Sequence, residues 1–126
     1  MTAMQRKAVK LTRDDWASAE GHWRGRVIGK DLGTEVTVLF FSSDTVGAGP
    51  KLHKHPYDEL FIVRQGRALF TVGDETIEAA AGDILLGPAE VPHKFVNLGP
   101  GRLETTDVHM NPEWIQTDLE DPEAED

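Results

Sequence analysis

The chain has 126 residues, 22 acidic against 13 basic side chains, a formal net charge of -9 and no cysteine. That length suits one domain burying roughly two thirds of its unfolded surface and is short for two. The charge argues against nucleic acid and anionic membranes as partners, and the lack of cysteine excludes a disulfide framework and thiolate metal sites.

Residues 1–20 read as an N-terminal extension, with a short helix over 12–20 capped by Thr12 and carrying acidic residues in its first turn. The opening residues lead into no apolar stretch of signal-peptide length, and no run reaches the ~18 apolar residues of a membrane span. A cytoplasmic location is therefore expected. From 21 to 110, turn signals recur at short intervals between brief β-rich runs, the pattern of an all-β barrel or sandwich. Arg24 and Arg26 share a strand face, where they could hold a carboxylate or phosphate or merely blunt an edge strand with charge. Residues 35–41 are apolar on both faces towards their end, as in a strand covered on both sides.

Residues 60–63 and 68–72 flank Gln65-Gly66-Arg67, which reads as a hairpin turn, and Gly73-Asp74 marks the next reversal. Short strands over 76–79 and 83–86 are separated by Gly82, and a last strand over 102–109 follows Gly99-Pro100-Gly101. Beyond it, Asn111-Pro112 predicts a capped helix start with proline at the first helical position. The segment 111–126 is thus a short helix and an acidic tail whose end is expected to be disordered.

Chemistry concentrates in two segments. The first runs Gly47, His53, His55, Glu59, Gly66, and the second runs Gly82, Pro88, His93, Asn97. His53 and His55 are two apart, so in an extended strand their imidazoles leave one face and can share an ion. Pro56 bends the chain before Glu59, which opens the next strand facing the same interior. The turn Gly87-Pro88 and then Pro92 bring His93 into a distant strand. Three imidazoles and a carboxylate suit one divalent transition metal, whether iron, manganese, zinc, nickel, cobalt or copper, and leave coordination positions open for a ligand.

The two segments resemble the two signature motifs of the cupin superfamily, over about half of the chain from Gly47 to Asn97. Glu90 departs from the pattern, standing where the family usually has glycine. The resemblance implies an antiparallel double-stranded β-helix, or jelly-roll barrel, with short helical or irregular termini. It also implies His53, His55, Glu59 and His93 as metal ligands, and a homodimer that covers barrel edges and the outer faces of Leu60 and Ile62.

Strand parity extends the site. Phe61 and Val63 share a face with Glu59, and Phe95 shares one with His93, so Phe61 and Phe95 can wall a small, partly apolar ligand while Val63 suits the core. Lys51 has the parity of His53 and could greet an anionic substrate at the cavity mouth, and Tyr57, between ligands, could cover the site. Asp107 and His109 point the same way on the last strand. Facing inward they would form a catalytic acid/base pair beside the metal; facing outward they would be a surface pair, with Val108 and Thr106 inside. No glycine-rich phosphate loop or nucleophile elbow is present. The expected function is a mononuclear metal enzyme acting on a small organic acid, phenol or sugar derivative. It would work as a dioxygenase or, with the metal as Lewis acid, as an isomerase, lyase or decarboxylase. The alternative is a non-catalytic metabolite-binding sensor or carrier.

Overall fold

Period-two alternation decides which side chains meet in this molecule. The computed structural model describes residues 6–123 and contains ten strands and two short helices. The helices are α1 (Arg13–Trp16) and α2 (Gly29–Leu32). The strands are β1 (Gly25–Val27), β2 (Thr37–Ser43), β3 (His53–Lys54), β4 (Glu59–Gln65) and β5 (Arg67–Val72). They continue with β6 (Glu75–Ala80), β7 (Ile84–Gly87), β8 (His93–Asn97), β9 (Leu103–His109) and β10 (Thr117–Asp118). Two five-stranded sheets, ordered β1-β2-β9-β4-β7 and β10-β3-β8-β5-β6, face one another, and every pairing is antiparallel. This is the double-stranded β-helix that the sequence implied. No helix among the described residues is long and apolar enough to cross a membrane.

Alternation fills the space between the sheets. Phe61 and Val63 of β4, Ala68, Phe70 and Val72 of β5, Phe95 of β8 and Leu103 of β9 are all buried in one cluster. Phe70 lies 5.1 Å, centroid to centroid, from both Phe61 and Phe95, at tilted angles suited to aromatic quadrupoles. Each buried phenylalanine contributes about 1.5–3 kcal/mol of transfer free energy, so these three rings are a large part of the core.

Three expectations need correction. Gln65-Gly66-Arg67 is not a hairpin turn, because β4 pairs with β9 and β7 while β5 pairs with β6 and β8. The chain crosses from one sheet to the other there. Gly66 makes the corner with φ +86°, and a Cβ would sit 2.2 Å from the Arg102 carbonyl oxygen, so the neighbouring backbone leading into β9 comes too close for any side chain. The N-terminal helix is one turn, not nine residues: the Asp15 carboxylate accepts from the Thr12 N–H at 2.7 Å, but Ala17 already bridges Gly25 as strand.

No helix forms after Asn111 among the described residues. The backbone there is claimed by other partners, since the Tyr57 hydroxyl takes the main chain of Ile115 and β10 completes the edge of β3. The acidic tail is docked as far as Glu123, with Lys94 Nζ 2.5 Å from Asp121 and 3.6 Å from Glu123. The expected disorder of its end, residues 124–126, and the first five residues of the N-terminal extension lie outside the described residues.

Candidate metal centre

The candidate ligand residues arrive as cross-strand neighbours from both sheets. His53 of β3 lies opposite His93 of β8, and Glu59 of β4 lies opposite His109 of β9. His53, His55, Glu59 and His93 are all buried, and one ligand atom from each lies within 4.8 Å of the others. Glu59 also faces Gly87 of β7, where a Cβ would meet the Phe61 ring at 2.9 Å and the His93 ring at 3.6 Å. Absence of a side chain at 87 therefore keeps room for the cluster.

Backbone carbonyls set the tautomer of each predicted ligand histidine. Nδ1 of His53 is 2.5 Å from the Lys51 oxygen, Nδ1 of His55 is 2.8 Å from the Tyr57 oxygen, and Nδ1 of His93 is 3.1 Å from the Val91 oxygen. A carbonyl only accepts, so each Nδ1 carries the proton and each Nε2 is left with a lone pair. Yet Nε2 of His55 and of His93 face the same Glu59 Oε1, at 2.8 and 3.1 Å. A neutral imidazole cannot donate at both nitrogens. A divalent cation between the two lone pairs and the carboxylate resolves the conflict without protonating either ring, and so the donor set fits a metal ion on chemical grounds.

Electrostatics agree. Burial lowers the pKa of the His53 imidazole, with its hydrogen bond to Lys51 opposing, which favours the neutral ring. Burial alone would raise the Glu59 carboxyl, but its contacts with the rings of His109, His55 and His93 outweigh it and hold the group well below the ordinary carboxylate range.

Asp107 and His109 both face inward, the branch of the two readings in which they border the site. They are not, however, a mutual pair. Nε2 of His109 is 3.0 Å from Glu59 Oε2, and its Nδ1 is 2.6 Å from the Tyr57 hydroxyl. Since anionic Glu59 can only accept, His109 donates to it through Nε2 and receives the Tyr57 proton at Nδ1. Asp107 accepts a hydrogen bond from the Thr105 hydroxyl at 3.1 Å through Oδ2, and its Oδ1 is buried without a protein partner. Burial, reinforced by the charge of Glu59, pushes the Asp107 carboxyl well above its ordinary value.

The cluster opens into a cavity of about 570 Å³. His53, Glu59, Asp107 and His109 form its floor, and Phe61 and Phe95 wall it, as parity suggested. The two remaining predicted ligand-binding residues stand elsewhere. Lys51 is exposed and does not line the cavity, because only its carbonyl turns inward, towards His53. Tyr57 is buried behind the floor, stacked on His55 at 4.3 Å with its hydroxyl committed to His109 and Ile115. Sequence reasoning missed Trp114 and Gln116, which border the mouth from the segment before β10. No local pattern signalled them, since a helix was expected there.

Glu90 has φ 68°, the left-handed region where glycine is at ease, and its N–H donates at 2.8 Å to the His55 carbonyl. The turn is preserved despite the departure from the motif, and it ties the second segment to the ligand strand of the first.

Comparisons with known proteins agree with this architecture. An uncharacterized protein of Methanocaldococcus jannaschii is 38% identical over 55 residues, and one of Streptomyces coelicolor is 49% identical over 41. These matches span 44% and 39% of the relatives' own lengths, less than half of either. Among solved structures, an uncharacterized conserved protein with a double-stranded β-helix domain from Klebsiella pneumoniae superposes with a TM-score of 0.71 at 18% identity. That likeness covers 91% of this chain and all of the other. Oxalate decarboxylase from Bacillus subtilis superposes with a TM-score of 0.69 at 20% identity, over 75% of this chain and 27% of that one, a likeness of fold. The family model described as the cupin domain matches residues 41–109, more than half of the sequence and all of the predicted ligands, so the chain belongs to the cupin family.

Proposed function

We propose that this protein is a mononuclear metal enzyme acting on a small organic acid, phenolic or sugar-derived substrate. The observation that carries the reading is the set of carbonyl-clamped imidazoles, aimed with Glu59 at one point on the floor of an apolar-walled cavity. A bound divalent ion would supply Lewis acidity or, if redox-active, dioxygen chemistry. His53, His55 and His93 would hold it through Nε2 and Glu59 through a carboxylate oxygen. Phe61 and Phe95 would give the substrate apolar walls beside the floor. Asp107 is the group best placed to hold or move a proton, since Oδ1 is unpaired and its carboxyl favours the protonated form. His109, with a proton shared from Tyr57, keeps Glu59 oriented at the cavity floor.

Elemental analysis of untagged protein purified without chelator, beside a His53→Ala/His55→Ala double variant, tests the reading. About one equivalent of ion in the parent and none in the variant is expected. Iron, manganese, nickel or copper would direct the search to oxygen uptake, and zinc would direct it to isomerase, lyase and decarboxylase substrates. No ion in either protein after reconstitution refutes the metalloenzyme. Ligand binding without turnover across both substrate classes would make it a sensor or carrier.

The homodimer is proposed through the outer face of the first sheet. Ile84 and Leu86 are 62% and 52% exposed, directly opposite the half-buried Ile62 and Leu60. Light scattering should report two copies, and Ile84→Lys/Leu86→Lys should report one.

A further inference from the structure

The cavity has a chemically distinct end away from the metal ligands. Strand β1 is the edge of its sheet, and its residues share faces with the β2 residues opposite them. Arg26 lies opposite Leu39, which lies opposite the inward-facing Asp107 of β9. Arg26, and Arg24 two residues before it, therefore sit on the concave side, and both line the cavity. Both remain exposed, so they stand at the rim of the cavity.

Aromatic rings and a carbonyl orient both guanidinium groups. Arg24 donates to the Ser42 carbonyl at 2.8 Å and lies 5.3 Å from the Phe41 ring centre. Arg26 lies 5.4 Å from the ring centre of Trp114. The remaining N–H groups of each are left for the cavity. In a chain with 22 acidic and 13 basic side chains, neither arginine has a carboxylate within ion-pair distance among the described residues, whereas Arg64, Arg67, Arg102 and Lys94 each do. Arg26 also borders a second hollow containing Asp15 and Asp31, and neither of these reaches it.

We propose that Arg24 and Arg26 form a carboxylate subsite and that the cavity takes a small monoanionic acid with a planar apolar body. The guanidinium groups hold the carboxylate at the mouth through charge-assisted hydrogen bonds. Phe41, Phe95 and Trp114 flank the body, and the far end of the molecule reaches the floor at His53 and Glu59. Anionic Glu59 within the same cavity, and the formal net charge of -9, disfavour a dianion such as a phosphate monoester. At about 570 Å³ the space falls within the roughly 300–1,000 Å³ usual for small-molecule sites. This deepens the metalloenzyme reading by naming its substrate class, but the arginine end does not depend on the ion.

Calorimetric titration of the full chain with benzoate, benzamide and phenyl phosphate tests it, in the parent, in Arg24→Gln/Arg26→Gln and in His53→Ala/His55→Ala. The parent should bind benzoate at least tenfold more tightly than either other probe. The arginine variant should lose that preference while keeping the parent's melting temperature and metal content. The proposal is overturned by absence of the preference, by its survival in the arginine variant, or by tighter binding of phenyl phosphate. Loss of the preference in the histidine variant alone would place the carboxylate at the metal ligands and also overturn it. Absence of metal with the benzoate preference intact would sink the metalloenzyme and leave the arginine subsite standing.

Discussion

Removing the bound ion should cost this fold a readable part of its stability, and the geometry sets the scale. Without a cation, Glu59 Oε1 is buried against two Nε2 atoms whose rings have their protons committed to carbonyls. Each such unmet contact costs about 1–3 kcal/mol, so the two together place the penalty at about 2–6 kcal/mol unless the rings are protonated. Mass action gives a compatible figure, about 2.7 kcal/mol for an ion present at 100 times its dissociation constant. For a domain of this size each kcal/mol moves the midpoint by about 4 °C, giving a shift of about 10 °C. Thermal unfolding followed by circular dichroism, with chelator and then with each first-row divalent ion in turn, reads it directly. The His53→Ala/His55→Ala variant should show no shift. An unchanged midpoint in the parent with every ion, or an equal shift in the variant, would refute the reasoning.

Other consequences are equally open to measurement. Asp107 has a folded pKa above its unfolded value, so the folded chain keeps a proton that the unfolded chain releases, and its contribution to stability declines as pH rises above about 4. Asp107→Asn should remove that decline, so urea denaturation at pH 4 and pH 7 should show the variant's advantage growing with pH; an equal loss at both values would contradict it. Tyr57→Phe keeps the ring that stacks on His55 but frees His109, and should lower metal affinity about 10- to 100-fold in competition with a chromophoric chelator. Glu90→Gly relieves a left-handed residue at the cost of its exposed contact with Lys54, and should stabilise by up to about 1 kcal/mol in the same denaturation assay.

What the sequence disclosed and what it concealed divide along a physical line. Strand parity is local, and it placed His53, Glu59, Phe61, Val63, His93 and Phe95 on buried positions because a period of two leaves little freedom. Pairing partners are not local. Nothing near Gly66 says that β4 and β5 enter different sheets, and nothing near Tyr57 says that its hydroxyl will meet a histidine 52 residues later. The orientation of β9 was undecidable for a related reason: Leu103 and Val108 have opposite parity, so the apolar residues alone balance. The buried polar residues Thr105, Asp107 and His109 took the inner face with Leu103. Asn97, read only as part of a motif, proves to be a structural latch. Its amide donates to the Ser43 and Gly101 carbonyls, and its side-chain oxygen accepts from the Gly99 N–H.

The matched family region stops at His109, and the barrel was expected to end at residue 110, yet the working unit is longer. Thr117 and Asp118 pair with Lys54 and His53, so the outer edge of a ligand-bearing strand is closed by residues beyond that limit. Ile115 anchors the tyrosine that positions His109, and Trp114 and Gln116 supply part of the cavity rim. For domain transplantation or minimisation, the cut therefore belongs after the contacts of Asp121 and Glu123 with Lys94. A shorter piece would keep every candidate metal ligand while exposing the edge that aligns one of them.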